Sequence, residues 1–66
     1  MNGRITRVMV DKNFGFITAE DGRDYFFHKS ALQNETNFTQ RLVGQEVTFE
    51  DTETSKGNRA ERVFLE

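Results

Sequence analysis

Lys12-Asn13-Phe14-Gly15-Phe16-Ile17-Thr18-Ala19-Glu20-Asp21-Gly22-Arg23-Asp24-Tyr25-Phe26-Phe27-His28 is the stretch that decides how this chain folds. At its centre, Asp21-Gly22 is a strong hairpin signal, because the tight turns that match the twist of paired strands need the positive φ that glycine adopts freely. The runs Phe14 to Ala19 and Arg23 to His28 are therefore expected to pair as antiparallel strands. Side chains alternate along a strand, so Phe14 and Phe16 share one face, and Asp24, Phe26 and His28 share one as well. Ile17, Tyr25 and Phe27 point the other way. One side of the hairpin can be core, and the other carries flat rings that a core does not need. Exposed rings on a sheet are what unpaired bases stack on. A sizeable apolar patch also marks protein interfaces, which keeps a protein partner open.

The segments on either side extend the same β pattern. Arg4 to Val10 is rich in β-branched residues and alternates imperfectly, with Ile5 and either Val8 or Val10 facing inward. Asp11-Lys12-Asn13 reads as a turn. Gly15, between two rings, marks either a bend or a close backbone approach. Ser30-Ala31-Leu32-Gln33 has capping-box spacing and predicts one helical turn begun by Ser30. A polar loop over residues 34–41 is broken only by Phe38. Gln45 to Asp51 predicts a fourth strand with Val47 and Phe49 on one face. Thr54 to Asn58 is a turn, and Arg59 to Leu65 is a fifth strand with Val63 and Leu65 opposite Phe64. Five short strands with almost no helix predict an all-β barrel, since closure removes exposed sheet edges. One domain spans residues 1–66.

Composition narrows the function. A chain of 66 residues buries only about 60% of its unfolded surface. It has no Cys and one His, so disulfides, a bound metal and a cofactor are not expected. No signal region opens the chain and no run approaches the roughly 20 apolar residues of a membrane span, so a cytoplasmic protein is expected. No nucleophile elbow and no phosphate-binding glycine loop occurs, and His28 is not accompanied by a convincing Ser or Cys partner, so the chain is not read as an enzyme. The net charge of -2 does not by itself announce a nucleic-acid binder. Its distribution says more. Arg4, Arg7, Lys12, Lys29, Lys56, Arg59 and Arg62 lie in or beside the expected strands and turns, whereas Glu46, Glu50, Asp51, Glu53 and Glu61 gather in the second half, where they can form an opposite face. On the Phe26 face, His28 can stack on a base or hydrogen-bond to it, and Asp24 can accept from base amino groups. Arg7 and Lys12 can meet phosphates.

These pieces together resemble the bacterial cold-shock domain over essentially the whole chain. Lys12-Asn13-Phe14-Gly15-Phe16-Ile17 looks like the family's first ribonucleoprotein motif, Lys-Gly-Phe-Gly-Phe-Ile. Tyr25-Phe26-Phe27-His28-Lys29-Ser30 looks like its second, Val-Phe-Val-His-Phe-Ser. The resemblance implies a five-stranded antiparallel OB-fold barrel that binds single-stranded RNA or DNA, with Phe14, Phe16, Phe26, His28 and Phe38 stacking on bases. Arg4, Arg7, Lys12, Asp24, Lys29 and Lys56 then supply polar and phosphate contacts. The chain departs from the family where Arg7-Val8 replaces a Trp-Phe pair, where Lys29 replaces a Phe after the motif His, where Asn13 replaces Gly, and where a common Pro in the last turn is missing. Asn tolerates the left-handed conformation that Gly takes. The expectation is a monomeric, sequence-tolerant binder, acting as an RNA chaperone or a cold-shock-type regulator of transcription or translation, that binds more weakly and with more salt dependence than the family pattern. The alternative is a barrel of the same kind acting mainly as a protein-interaction module.

Overall fold

The computed structural model describes residues 1–33, 37–55 and 57–66. Its strands are β1 (Asn2–Met9), β2 (Phe14–Ala19), β3 (Asp24–His28), β4 (Glu46–Thr54) and β5 (Gly57–Leu65). They close into a barrel in the order β1-β2-β3-β5-β4, with β4 pairing back onto β1. The expected antiparallel pairing holds at every joint but one, where Phe26 of β3 lies parallel to Arg59 of β5. Parity requires this: an odd number of strands cannot alternate direction all the way around a closed ring. No helix among the described residues is long and apolar enough to cross a membrane.

The central hairpin forms as its sequence predicts. Phe14 lies opposite His28, Phe16 opposite Phe26 and Thr18 opposite Asp24. Gly22 takes φ 87° in the turn and donates its N–H to Ala19 O at 2.9 Å, while Ala19 N donates to Arg23 O at 2.8 Å. Ile17, Tyr25 and Phe27 are buried, with Ile5, Val8, Val47, Phe49, Ala60 and Val63 completing much of the core. Of the two inward candidates in β1, Val8 is buried and Val10 is exposed. Val63 is buried and Leu65 packs on the core, while Phe64 faces out.

Two strands bury residues three apart rather than two. In β1 the register shifts between Ile5 and Arg7, which leaves Thr6 as the extra residue of a bulge and turns both Ile5 and Val8 inward. In β5 the pairing with β4 shifts between Thr48 and Glu50, and Arg62 takes φ 49°, so Ala60 and Val63 both reach the core. These kinks supply the curvature that closes so small a sheet.

Two glycine-related expectations resolve into specific geometry. A Cβ on Gly15 would sit 2.6 Å from Arg7 O and 2.8 Å from the Phe27 ring, so the glycine permits a close approach of β1, β2 and the core ring. Asn13 ends a 3-10 turn over Val10–Lys12 at φ 60° and ψ 34°, the left-handed conformation.

Two expectations need correction. The turn after β3 is a 3-10 turn over Lys29–Ala31, and its cap is His28, not Ser30: His28 Nδ1 accepts from Ser30 N at 3.1 Å. Leu32 is already extended, so the chain leaves the turn before Gln33 can close a capping box. Phe38 does not stand alone in a loop. It is 7% exposed and packs into the core with Leu42 of the 3-10 turn Gln40–Leu42.

Candidate nucleic-acid interface

The outward faces of β1, β2 and β3 form one continuous surface. Across it, Arg7 lies opposite Phe16 and Met9 opposite Phe14, and the same two rings lie opposite Phe26 and His28. Phe14, Phe16 and Phe26 form a triangle of rings, with centroids 5.9 Å apart for Phe14 and Phe16, 5.2 Å for Phe14 and Phe26, and 6.0 Å for Phe16 and Phe26. The first and third pairs are edge-to-face and the second is tilted, arrangements that suit the ring quadrupoles. This mutual packing explains why the rings are half-buried although they lie outside the core. Each holds its neighbour upright and keeps ring surface open to a ligand.

Polar groups sit at both ends of the triangle. At one end, Thr18 Oγ1 donates to Asp24 Oδ1 at 2.7 Å and lies 3.3 Å from Thr6 Oγ1. This chain orients the carboxylate and leaves its second oxygen for an amino group. At the other end, His28 Nδ1 accepts from the Ser30 backbone, with Ser30 Oγ at 2.9 Å. An accepting Nδ1 places the ring proton on Nε2, so the outer edge of the imidazole is a donor. The Lys29 N–H donates to Asn13 O at 2.8 Å, which brings Lys12 and Lys29 to this same end, beside Phe14 and His28.

The charges sort by position. Among the described residues, Arg7, Lys12, Lys29 and Arg41 have no carboxylate within ion-pairing distance, and the first three border the ring triangle. The other arginines are paired: Arg4 with Glu46 at 3.2 Å, Arg23 with Asp21 at 3.9 Å, Arg59 with Glu61 at 3.0 Å and Arg62 with Glu50 at 3.5 Å. Three acids of the second half, Glu46, Glu50 and Glu61, are thus partners of arginines. The net negative charge coexists with a locally positive rim.

Phe14, Phe16, Phe26, His28, Asp24, Arg7, Lys12 and Lys29 are thus gathered on or beside one face. Arg4 lies opposite Thr18, at that end of the face, and is tied to Glu46. Phe38 presents no open face, because its ring is buried against Phe27 at 6.1 Å. Lys56 lies outside the described residues. Arg59 was not among the expected contacts, yet its guanidinium carbon sits 5.8 Å from the centre of the Phe26 ring. Strand phase within the hairpin could not reveal it, because the contact arises only when β5 docks beside β3. Met9 joins the face for a similar reason, through the bulge at Thr6.

Comparison with known proteins agrees with this geometry. The family model described as the 'Cold-shock' DNA-binding domain matches residues 1–65. Cold shock protein 1 of Lactiplantibacillus plantarum is 42% identical over 62 residues, covering 94% of this chain and 92% of the relative. Cold shock-like protein CspB of Escherichia coli is 41% identical over 66 residues, covering 98% and 92%. Cold shock-like protein CspE of Buchnera aphidicola is 44% identical over 65 residues, covering 97% and 93%. With its closed five-stranded barrel and aromatic sheet face, the chain belongs to the cold-shock domain family, a family of single-stranded nucleic-acid binders.

Proposed function

We propose that this protein binds single-stranded RNA or DNA on the outer face of β1, β2 and β3, as a cytoplasmic monomer that opens weak secondary structure by holding unpaired bases. The observation that carries this reading is the triangle of Phe14, Phe16 and Phe26 bordered by Arg7, Lys12 and Lys29, which are unpaired among the described residues. Bases stack on the three rings and on His28, while the cations meet phosphates and the free oxygen of Asp24 accepts from a base amino group. No nucleotide hydrolysis is required, because each stacked base contributes about 1–3 kcal/mol toward holding the strand open. The same unpaired cations favour this role over a protein-docking role for the rings.

The test is a proton–nitrogen NMR titration with oligo-dT and oligo-U. Shifts confined to β1–β3 and the turns after β1 and β3 are expected for both strands. The double substitution Phe14→Ala with Phe26→Ala should remove binding while preserving the dispersed spectrum of a folded barrel. Unchanged affinity in that folded variant would refute stacking on these rings.

A further inference from the structure

Beside the ring triangle, the β4–β5 hairpin closes a cavity of about 370 Å³ lined by Phe16, Phe26, Thr54, Gly57, Asn58 and Arg59. Its floor is aromatic and, among the described residues, its wall carries one charged group. Arg59 Nε is buried and lies 3.0 Å from Glu61 Oε1, close enough for an ion pair although its N–H is not aligned for a hydrogen bond. The two terminal nitrogens of the guanidinium have no partner among the described residues. Glu61 therefore holds the group from its inner side and leaves the outer fork open. The guanidinium carbon, 5.8 Å from the Phe26 centroid, is too near for a base to slide between the two and near enough to meet the edge of a base laid on the ring.

We propose that this cavity is a guanine-preferring position, with Arg59 as its specificity-determining residue and Glu61 as a positioning residue. The inference rests on the binding reading given above and adds a base preference to it. An arginine fork only donates, so it selects a base edge that offers two neighbouring acceptors. Guanine offers O6 and N7, the pair that arginine meets most often in specific recognition. Adenine sets an amino donor beside N7 on that edge, and in thymine or uracil a donor N3–H separates the two carbonyls. Cytosine does offer adjacent O2 and N3, but its single ring covers less of Phe26 than a purine does. Most of the face tolerates any base, and this one position does not.

The experiment is fluorescence anisotropy with labelled seven-nucleotide strands, comparing all-thymidine with sets in which one thymidine is replaced in turn by dG, dA or dC. The wild-type chain should bind one of the dG strands about tenfold more tightly than all-thymidine, the lower range of discrimination for a bidentate pair. In Arg59→Lys, which keeps the charge and loses the fork, the ratio should fall to about one. Glu61→Gln should lower the ratio part of the way. Phe14→Ala, outside the cavity, should weaken both strands together and preserve the ratio. A dC strand bound more tightly than every dG strand, or a ratio unchanged in Arg59→Lys, overturns the guanine assignment. If all-thymidine binds but no dG strand gains, the assignment fails while the binding reading stands. If no strand binds, both fall.

Discussion

The ring of Phe38 stands edge-on to that of Phe27, with centroids 6.1 Å apart and planes at 79°. Phe27 is fully buried beneath the platform and Phe38 caps it from the loop side. Phe38 is thus a structural residue first. Truncating a buried Phe to Ala typically costs about 3–5 kcal/mol, and a domain of this length has only about 3–10 kcal/mol in total. Phe38→Ala is expected to collapse the urea midpoint, whereas Phe14→Ala, outside the core, should shift it little. A Phe38→Ala variant with an unchanged midpoint and lowered affinity would return this ring to the stacking set.

Gly15→Ala should damage both stability and binding. The added methyl would meet Arg7 O at 2.6 Å and the Phe27 ring at 2.8 Å, neither of which is the far end of a flexible chain. Overpacking of this kind costs about 1–3 kcal/mol. Because the displaced partners are β1 and the ring under the platform, Arg7 would also move relative to Phe16. Thermal unfolding together with oligo-dT titration checks the pair of effects, and a variant as stable as wild type would show that β1 and β2 can separate freely here.

The parts of this fold that were legible in the sequence are those governed by local rules. Asp21-Gly22 and the two-residue alternation around it assign Phe14, Phe16, Phe26 and His28 to one face and Ile17, Tyr25 and Phe27 to the other, as the burial pattern has them. What could not be read depends on contacts between distant segments. The bulges at Thr6 and Arg62 shift the inward phase to three residues, which strict alternation in β1 and β5 conceals. Phe38 sits in a polar loop with no periodicity to show that the loop folds back over Phe27. The spacing at Ser30 fits a capping box, but His28 reaches the free N–H first because the extended end of β3 turns its ring toward the turn. Arg59 joins the site only through the parallel joint that parity requires.

Salt should weaken binding through a small number of contacts. Arg7, Lys12 and Lys29 border the rings without carboxylate partners among the described residues. Each phosphate contact on a single strand adds about 0.7 to the slope of log K against log salt, so three give a slope of about -2. Lys12→Gln should reduce the slope by about 0.7. Arg23→Gln, at the hairpin turn and paired with Asp21, should leave it unchanged. Oligo-dT titrations at several salt concentrations measure both, and a slope near zero would remove the phosphate role from all three cations.

Asn13 links the two aromatic strands through its backbone: its carbonyl accepts from Lys29 N at 2.8 Å while its own N–H donates to Val10 O at 3.3 Å. Both bonds depend on the left-handed conformation at φ 60°. Residues with a Cβ lose about 1–2 kcal/mol there, Asn less and Gly least. Asn13→Ala should therefore destabilise the protein by about 1 kcal/mol, whereas Asn13→Gly, which relieves the backbone but adds unfolded-state entropy, should stay within about 0.5 kcal/mol of wild type. Because the Lys29 bond aligns Phe14 with His28, affinity for oligo-dT should follow stability in this series, falling for Ala and holding for Gly. Urea unfolding and anisotropy on the same three proteins decide the matter. An Ala variant equal to Asn in both would mean that the turn relaxes out of the left-handed region without disturbing the platform.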